Sequence, residues 1–398
     1  MPFVLPGTKG FCFLVILVKE GECMKAKRIV VKVGSSSLTD EQGRLSEEKM
    51  RQLADQIAVL QLEQECRVIL VSSGAVAAGL GKLGWPRPNI TMPEKQAAAA
   101  VGQGLLLEQY QKLFAQRGIT VAQLLLTRSD IEDRKRFIHI RNTSETLLRN
   151  GILPIVNEND TVTVEEIRFG DNDTLGSLVA LVTEAELLIL LTDIDGLYTA
   201  NPKSNPDARR IPDVWEITPE LEAAAGGNGS VMGTGGMRTK LMAARIATES
   251  GIDVVVASSR EPEVLQRIAE GESLGTRFHA NPRFSGKKSW LAHGPRPEGR
   301  IIIDQGAVRA LTERAGSLLV PGITAVEGEF QEGAIVEIAA PAGQVIGKGA
   351  VSFSDRDLQL LIERRQTGER LRHYHEVIHR DAMVIYSREG IPYAQHRK

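Results

Sequence analysis

Val31-Lys32-Val33 sets one lysine inside an apolar run, and Gly34 with three small hydroxyl residues, Ser35, Ser36 and Ser37, follows it. An ammonium group within a buried strand is costly unless it reaches a partner. A backbone free of bulky side chains can bring its N–H groups close to a phosphate. Phosphate binding is therefore favoured over a plain strand ending in a Ser-rich turn. Val71-Ser72-Ser73-Gly74-Ala75 has the same character, with small residues opening a helix over 75–79. The N-terminus of such a helix suits an anion, a substrate carboxylate as readily as a phosphate. Asn157-Glu158-Asn159-Asp160 and Gly170-Asp171-Asn172-Asp173 crowd carboxylates together. Such groups repel one another unless an ammonium group, a lysine or Mg²⁺ answers them. Thr192-Asp193 closes another apolar run, and Gly233-Thr234-Gly235-Gly236-Met237-Arg238-Thr239-Lys240 leads into a helix with Lys240 in its first turn, a second phosphate cradle. Two lysines on separate loops, with acidic loops between them, are what phosphoryl transfer without a P-loop requires.

The elements around these stretches place them together. Apolar, β-branched runs at 28–33, 67–71, 120–126, 152–157, 187–192 and 253–257 read as strands, separated by helical patterns such as 46–64, 94–117 and 237–251. Continuously apolar strands alternating with helices predict a mainly parallel sheet covered on both faces, an α/β fold. Ligands of such sheets sit at the carboxyl ends of the strands, where the stretches above fall. After Phe278 the pattern changes. Pro282, Gly286, Gly294, Pro295, Pro297 and Gly299 read as a linker, and short runs at 300–304, 323–326, 334–339, 344–351 and 383–386 with a helix at 306–315 predict a small β-barrel. The expected division is an extension over 1–23, a catalytic domain over 24–280, a linker over 281–299, and a barrel with its tail over 300–398.

Composition narrows the function. With 48 Lys and Arg against 50 Asp and Glu in 398 residues, the net charge of −2 gives no overall field toward nucleic acid or an anionic membrane. The 3 cysteines are odd in number and form no CxxC pair, so a reducing cytoplasm fits better than a disulfide framework. The apolar run at 11–18 is too short to span a bilayer, which takes about 20 residues, and lacks the flanks of a signal peptide. Met24 reads as the working start.

Several motif matches are set aside. The GxGxxG match at 79–84 has no strand before it, and HExxH at 375–379 runs into a strand-like stretch rather than a helix. Asp171-Asn172-Asp173 lacks the glycine and glutamate of a calcium loop. No Walker A sequence occurs.

The Val-Lys-Val-Gly-Ser-Ser start, Ser-Ser-Gly-Ala, Asn-Glu-Asn-Asp, Gly-Asp-Asn-Asp and Gly-Thr-Gly-Gly-Met-Arg-Thr-Lys stand here in one order, and in it the chain resembles the amino-acid kinase family from about Met24 onward. The resemblance points to the branch that phosphorylates the side chain of glutamate, and it implies a three-layer α/β/α sandwich. It assigns Lys32 and Lys240 to the phosphates and Asp173 to holding both ammonium groups. Ser73, Gly74, Asp160 and Asn172 are expected to bind glutamate. Lys32, Thr192, Asp193 and Thr234, Gly235, Gly236, Met237, Arg238, Thr239 and Lys240 are expected to line the ATP site, with Mg²⁺ carried by ATP. The C-terminal segment resembles a PUA domain, a barrel found on RNA-modifying enzymes, which makes RNA a candidate partner. A homo-oligomer is expected too, as is a downstream glutamyl phosphate reductase on the way to proline.

A glutamate side chain, with an ordinary pKa of roughly 4.3, is ionised at neutral pH and needs no general base, so catalysis reduces to positioning and charge neutralisation. The competing acceptors on this scaffold are aspartate, acetylglutamate, carbamate and UMP. A different class is an RNA-binding protein led by the barrel, with Lys287, Lys288, Arg296 and Arg300 as its phosphate-contacting patch.

Overall fold

The computed structural model describes residues 28–40, 44–85, 90–163, 172–200, 205, 207–225, 236–281, 287–314, 316–367 and 376–386. The expected extension over 1–23 lies outside them.

The strands β1 (Arg28–Val33), β2 (Arg67–Val71), β3 (Val121–Leu126), β4 (Leu153–Glu158) and β5 (Leu187–Thr192) form where the apolar runs predict them, with ends shifted by a residue at β3 and β4. A short hairpin, β6 (Leu197–Tyr198) and β7 (Arg210–Ile211), precedes β8 (Asp213–Val214), β9 (Asp253–Ser258) and β10 (Thr276–Phe278). Eight of these make one sheet in the order β3-β4-β2-β1-β5-β9-β10-β8. The pairs from β3 to β9 are parallel, while β10 runs antiparallel to β9.

Side chains alternate across a strand, and β1 feeds two cores. Ile29 and Val31 pack with Met50 and Ile57 of α1 (Glu47–Leu62), and that core continues past α2 (Ala75–Leu83) to Leu106 and Phe114 of α3 (Met92–Ala115). Val30 joins the opposite core, below α4 (Arg128–Glu132), with Phe137 of α5 (Arg134–Arg149) and Leu178 of α6 (Asn172–Val182). Beyond α7 (Pro219–Ala225), α8 (Met237–Glu249) adds Ala244 to this second core, and α9 (Val264–Ala269) adds Leu265 to the first. Helices therefore cover both faces of a mainly parallel sheet, the three layers that were expected.

The GxGxxG match falls on α2 and its end. A Cβ on Gly79 would lie 1.8 Å from the Ala98 carbonyl oxygen, and one on Gly102 would lie 1.7 Å from that of Ala75. Those glycines let α2 and α3 cross in backbone contact. The segment read as a linker contains α10 (Lys287–His293), a short helix hidden in the sequence by its Pro and Gly neighbours. Its Trp290 is buried, donates Nε1–H to the Ile131 carbonyl at 2.8 Å, and meets Phe137 edge-on with ring centroids 5.9 Å apart.

The C-terminal elements are β11 (Gly299–Ile303), α11 (Gln305–Glu313), β12 (Leu318–Leu319), β13 (Ile323–Glu327), β14 (Ile335–Ala339), β15 (Val345–Ala350), α12 (Asp355–Gln366), β16 (Glu376–Ile378) and β17 (Met383–Ile385). They form a five-stranded sheet in the order β13-β11-β14-β15-β17 and a separate β12–β16 pair, around a core that includes Ile301, Ile338, Leu358 and Val377. The HExxH match runs through β16, a strand, to His379 just beyond it, and its first histidine lies outside the described residues. Among the described residues no helix is long and apolar enough to cross a membrane.

Candidate active site

Lys32 sits at the carboxyl end of β1, in register with Val71 of β2 and Leu190 of β5. Its side chain is buried, and its Nζ lies 2.5 Å from Oδ1 of Asp173 in the first turn of α6. Lys240, in the first turn of α8, brings its Nζ to 3.0 Å from Oδ2 of the same carboxylate. Asp173 is only 1% exposed, and each lysine is 5% exposed. Burial by itself would raise the Asp173 carboxyl, but the attraction of the Lys32 and Lys240 ammonium groups overrides it and brings the carboxyl down to about 2. Asp173 is thus ionised at any working pH, and it clamps two cations from distant parts of the chain onto one point.

Two local features make the clamp fit. Gly176 lies one turn further along α6, where a Cβ would press on the Lys32 stem at 3.2 Å, so α6 packs directly over the lysine. Thr239 donates its hydroxyl to the Gly236 carbonyl at 2.8 Å and lies 3.4 Å from Asp173 Oδ2, which fixes the start of α8 beside the carboxylate. The N-termini of α6 and α8 both point their positive ends at this edge of the sheet.

A second group of polar atoms adjoins the clamp through Asn172, the neighbour of Asp173. Its Nδ2 donates to the Ser72 carbonyl at 2.8 Å and to Ser73 Oγ at 2.6 Å, and lies 3.3 Å from Asn157 Oδ1. Gly74 follows with φ +97°, a left-handed conformation that glycine adopts without strain, and it caps α2. Asn157 is 3% exposed; its Oδ1 also accepts from the Glu158 amide at 2.9 Å, while its buried Nδ2 has no acceptor among the described residues. Asp160 follows β4, half-buried, in a loop pinned by Asn159 N–H to the Leu126 carbonyl and by Gln103 Nε2 to the Glu158 carbonyl at 3.3 Å.

On the other side of the clamp, Thr192 closes β5 and donates its hydroxyl to Asp193 Oδ1 at 3.0 Å. The Thr192 carbonyl accepts from Ser259 N–H, and Ser259 Oγ meets Ser37 Oγ at 2.8 Å, which joins the ends of β5 and β9 to the turn after β1. Gly236, Met237 and Arg238 begin α8 here, with Arg238 exposed. Thr234 and Gly235 lie outside the described residues, as do Gly170 and Asp171. The edge thus brings together Lys32, Asp173 and Lys240, with Ser73, Gly74, Asn172 and the Asp160 loop on one flank and Thr192 and Asp193 on the other.

The pattern of the amino acid kinase family matches residues 27–258, and that of the PUA domain matches residues 299–375. A glutamate 5-kinase of Moorella thermoacetica is 48% identical over 376 residues, 92% of this chain and 99% of its own length. One of Carboxydothermus hydrogenoformans is 47% identical over 364 residues, 90% and 97% of the two chains. The chain belongs to the amino acid kinase family, in its glutamate 5-kinase group. Among solved structures, a UMP kinase from Bacillus anthracis superposes with a TM-score of 0.46 at 17% identity, over 64% of this chain and 97% of its own.

Within this member of the family, some parts of the site were not singled out beforehand. Asn157 was read as part of an acidic motif, yet its amide is buried and its donor meets no acceptor among the described residues. Gly176 gave no signal, because its importance comes from the lysine beneath it. Arg296 and Arg300, offered as an RNA-contacting patch, are engaged within the protein: Arg296 lies 3.6 Å from Glu132, and Arg300 lies 2.6 Å from Glu337.

Proposed function

We propose that this chain transfers the γ-phosphoryl group of ATP to the side-chain carboxylate of L-glutamate, giving L-glutamyl 5-phosphate and ADP. What supports the reading most is the clamp itself, two buried ammonium groups set on one carboxylate where helix N-termini meet a sheet edge. In the transfer, a carboxylate oxygen of glutamate forms the new O–P bond as the bond from phosphorus to the bridging oxygen of ADP breaks. Lys32 and Lys240 neutralise the charge on the transferring group and on the leaving oxygen, and Asp173 keeps both ammonium groups aimed. The acceptor is already ionised, so no general base is assigned.

Ser73, Gly74, Asn172 and Asp160 hold glutamate, with Asp160 on its ammonium group, and the buried Asn157 amide serves as a further donor to a substrate carboxylate. Thr192, Asp193 and residues 234–240 line the nucleotide, which enters as its Mg²⁺ complex. An acyl phosphate hydrolyses readily, so we place a glutamyl phosphate reductase next in the sequence, as the first step toward proline, in the cytoplasm.

Trapping the acyl phosphate with hydroxylamine tests the reading. With ATP and Mg²⁺ present, hydroxamate should accumulate with glutamate and stay at background with aspartate or acetylglutamate, while neither carbamate nor UMP should drive ADP release. Preferential turnover of one of those acceptors would refute it.

A further inference from the structure

We infer that Tyr110 of α3 is a positioning residue for the substrate side of this site, acting through Ser72; the inference rests on the functional reading above. The turn after β2 carries Ser72, Ser73 and Gly74, and Asn172 fixes it from the front by holding the Ser72 carbonyl and the Ser73 hydroxyl. Behind the turn lies α3. The Tyr110 hydroxyl is 2.9 Å from Ser72 Oγ, and both residues are 0% exposed. Burial pushes the Tyr110 phenol well above its ordinary pKa, so the hydroxyl keeps its proton.

The direction of the chain follows from the donors present. Ser72 Oγ–H donates to the Ser73 carbonyl at 3.2 Å, which leaves the Tyr110 O–H to donate to Ser72 Oγ. A relay therefore runs from Tyr110 through the Ser72 hydroxyl to the backbone of Ser73, the residue whose own hydroxyl is held by Asn172. The tyrosine ring cannot swing away, since it stacks on Phe114 with centroids 6.2 Å apart inside the core shared by α1 and α3. A buried phenol needs a partner in any protein. Here the partner belongs to the turn that presents Ser73 and Gly74, so the phenol fixes the height of that turn against Asn172 rather than only filling the core.

Phenylalanine occupies the same space, and without the phenol Ser72 still donates to the Ser73 carbonyl, so Tyr110→Phe leaves no buried donor unmet. In the full chain, Tyr110→Phe should raise KM for glutamate about 3- to 10-fold while KM for ATP and kcat stay within about 2-fold, as expected for loss of one buried hydrogen bond on the binding side. Ser72→Ala should give a rise of the same size. The double variant should add little to either single change, because both remove the same link. Unchanged KM for glutamate in Tyr110→Phe and Ser72→Ala, even with a lowered melting temperature, would make the pair structural only and overturn the inference. Should Tyr110→Phe fail to fold, Ser72→Ala decides the question alone. A wild-type chain that forms no acyl phosphate from glutamate would overturn the functional reading and this inference with it, whereas unchanged KM beside an active wild type would overturn this inference alone.

Discussion

Asp173→Asn keeps the shape of the side chain at the centre of the clamp and removes its charge. The native carboxyl stands at about 2 against an ordinary 3.8, with burial opposing the shift and the two lysines driving it. That depression corresponds to about 2 kcal/mol in favour of the folded state. Taking the carboxylate from two buried ammonium groups raises the expected loss to about 3–5 kcal/mol. The sign with pH follows from the depressed folded value. The carboxylate's contribution is complete above the unfolded value of 3.8 and drains away as pH falls toward about 2. Urea unfolding of both proteins should therefore show the same gap at pH 7 and pH 5, narrowing below pH 4. Turnover at neutral pH should fall about 100-fold, since Lys32 and Lys240 then repel one another and lose their aim. An Asp173→Asn protein within about 1 kcal/mol of wild type at pH 7, with near-normal kcat, would refute the idea that one carboxylate organises both lysines.

Two other substitutions probe different parts of the structure. Asp160→Ala should raise KM for glutamate about 10- to 100-fold with a much smaller change for ATP, the cost of one charge-assisted hydrogen bond; an equal rise in both constants in steady-state kinetics would contradict its place on the substrate ammonium. Gly79→Ala drives a methyl group into the Ala98 carbonyl, 1.8 Å away in the present geometry, and should destabilise the fold by about 1–3 kcal/mol in urea with little effect on KM for either substrate in the protein that remains folded.

Much of the sheet could be read from the chain because its strands are buried on both faces and so carry uninterrupted apolar residues, as Leu187–Thr192 does. The β10–β8 edge could not, since β8 is two residues long and β10 three, too short for any periodicity. Trp290 was obscured by the prolines and glycines around α10, which describe the approach to that helix rather than the helix. In the site, Lys32 was legible for an energetic reason, as a lysine in a buried strand demands a partner. The partner's identity came from resemblance, because nothing local in Asn172-Asp173 says which of several carboxylates faces the lysine. The pairing of Tyr110 with Ser72 was out of reach, the two being 38 residues apart and joined only once α3 lies against β2.

The clamp is tested most directly by the turnover of Lys32→Ala, Lys240→Ala and the double variant, measured at saturating glutamate and ATP on proteins shown to be folded. Each single change should lower kcat about 100-fold or more with a smaller change in KM for glutamate, because the charge they meet develops in the transition state. Acting on one phosphoryl group, the two should be less than multiplicative when combined. Near-normal kcat in folded Lys32→Ala, or a double loss equal to the product of the single ones, would contradict a shared role at the transferring phosphoryl group.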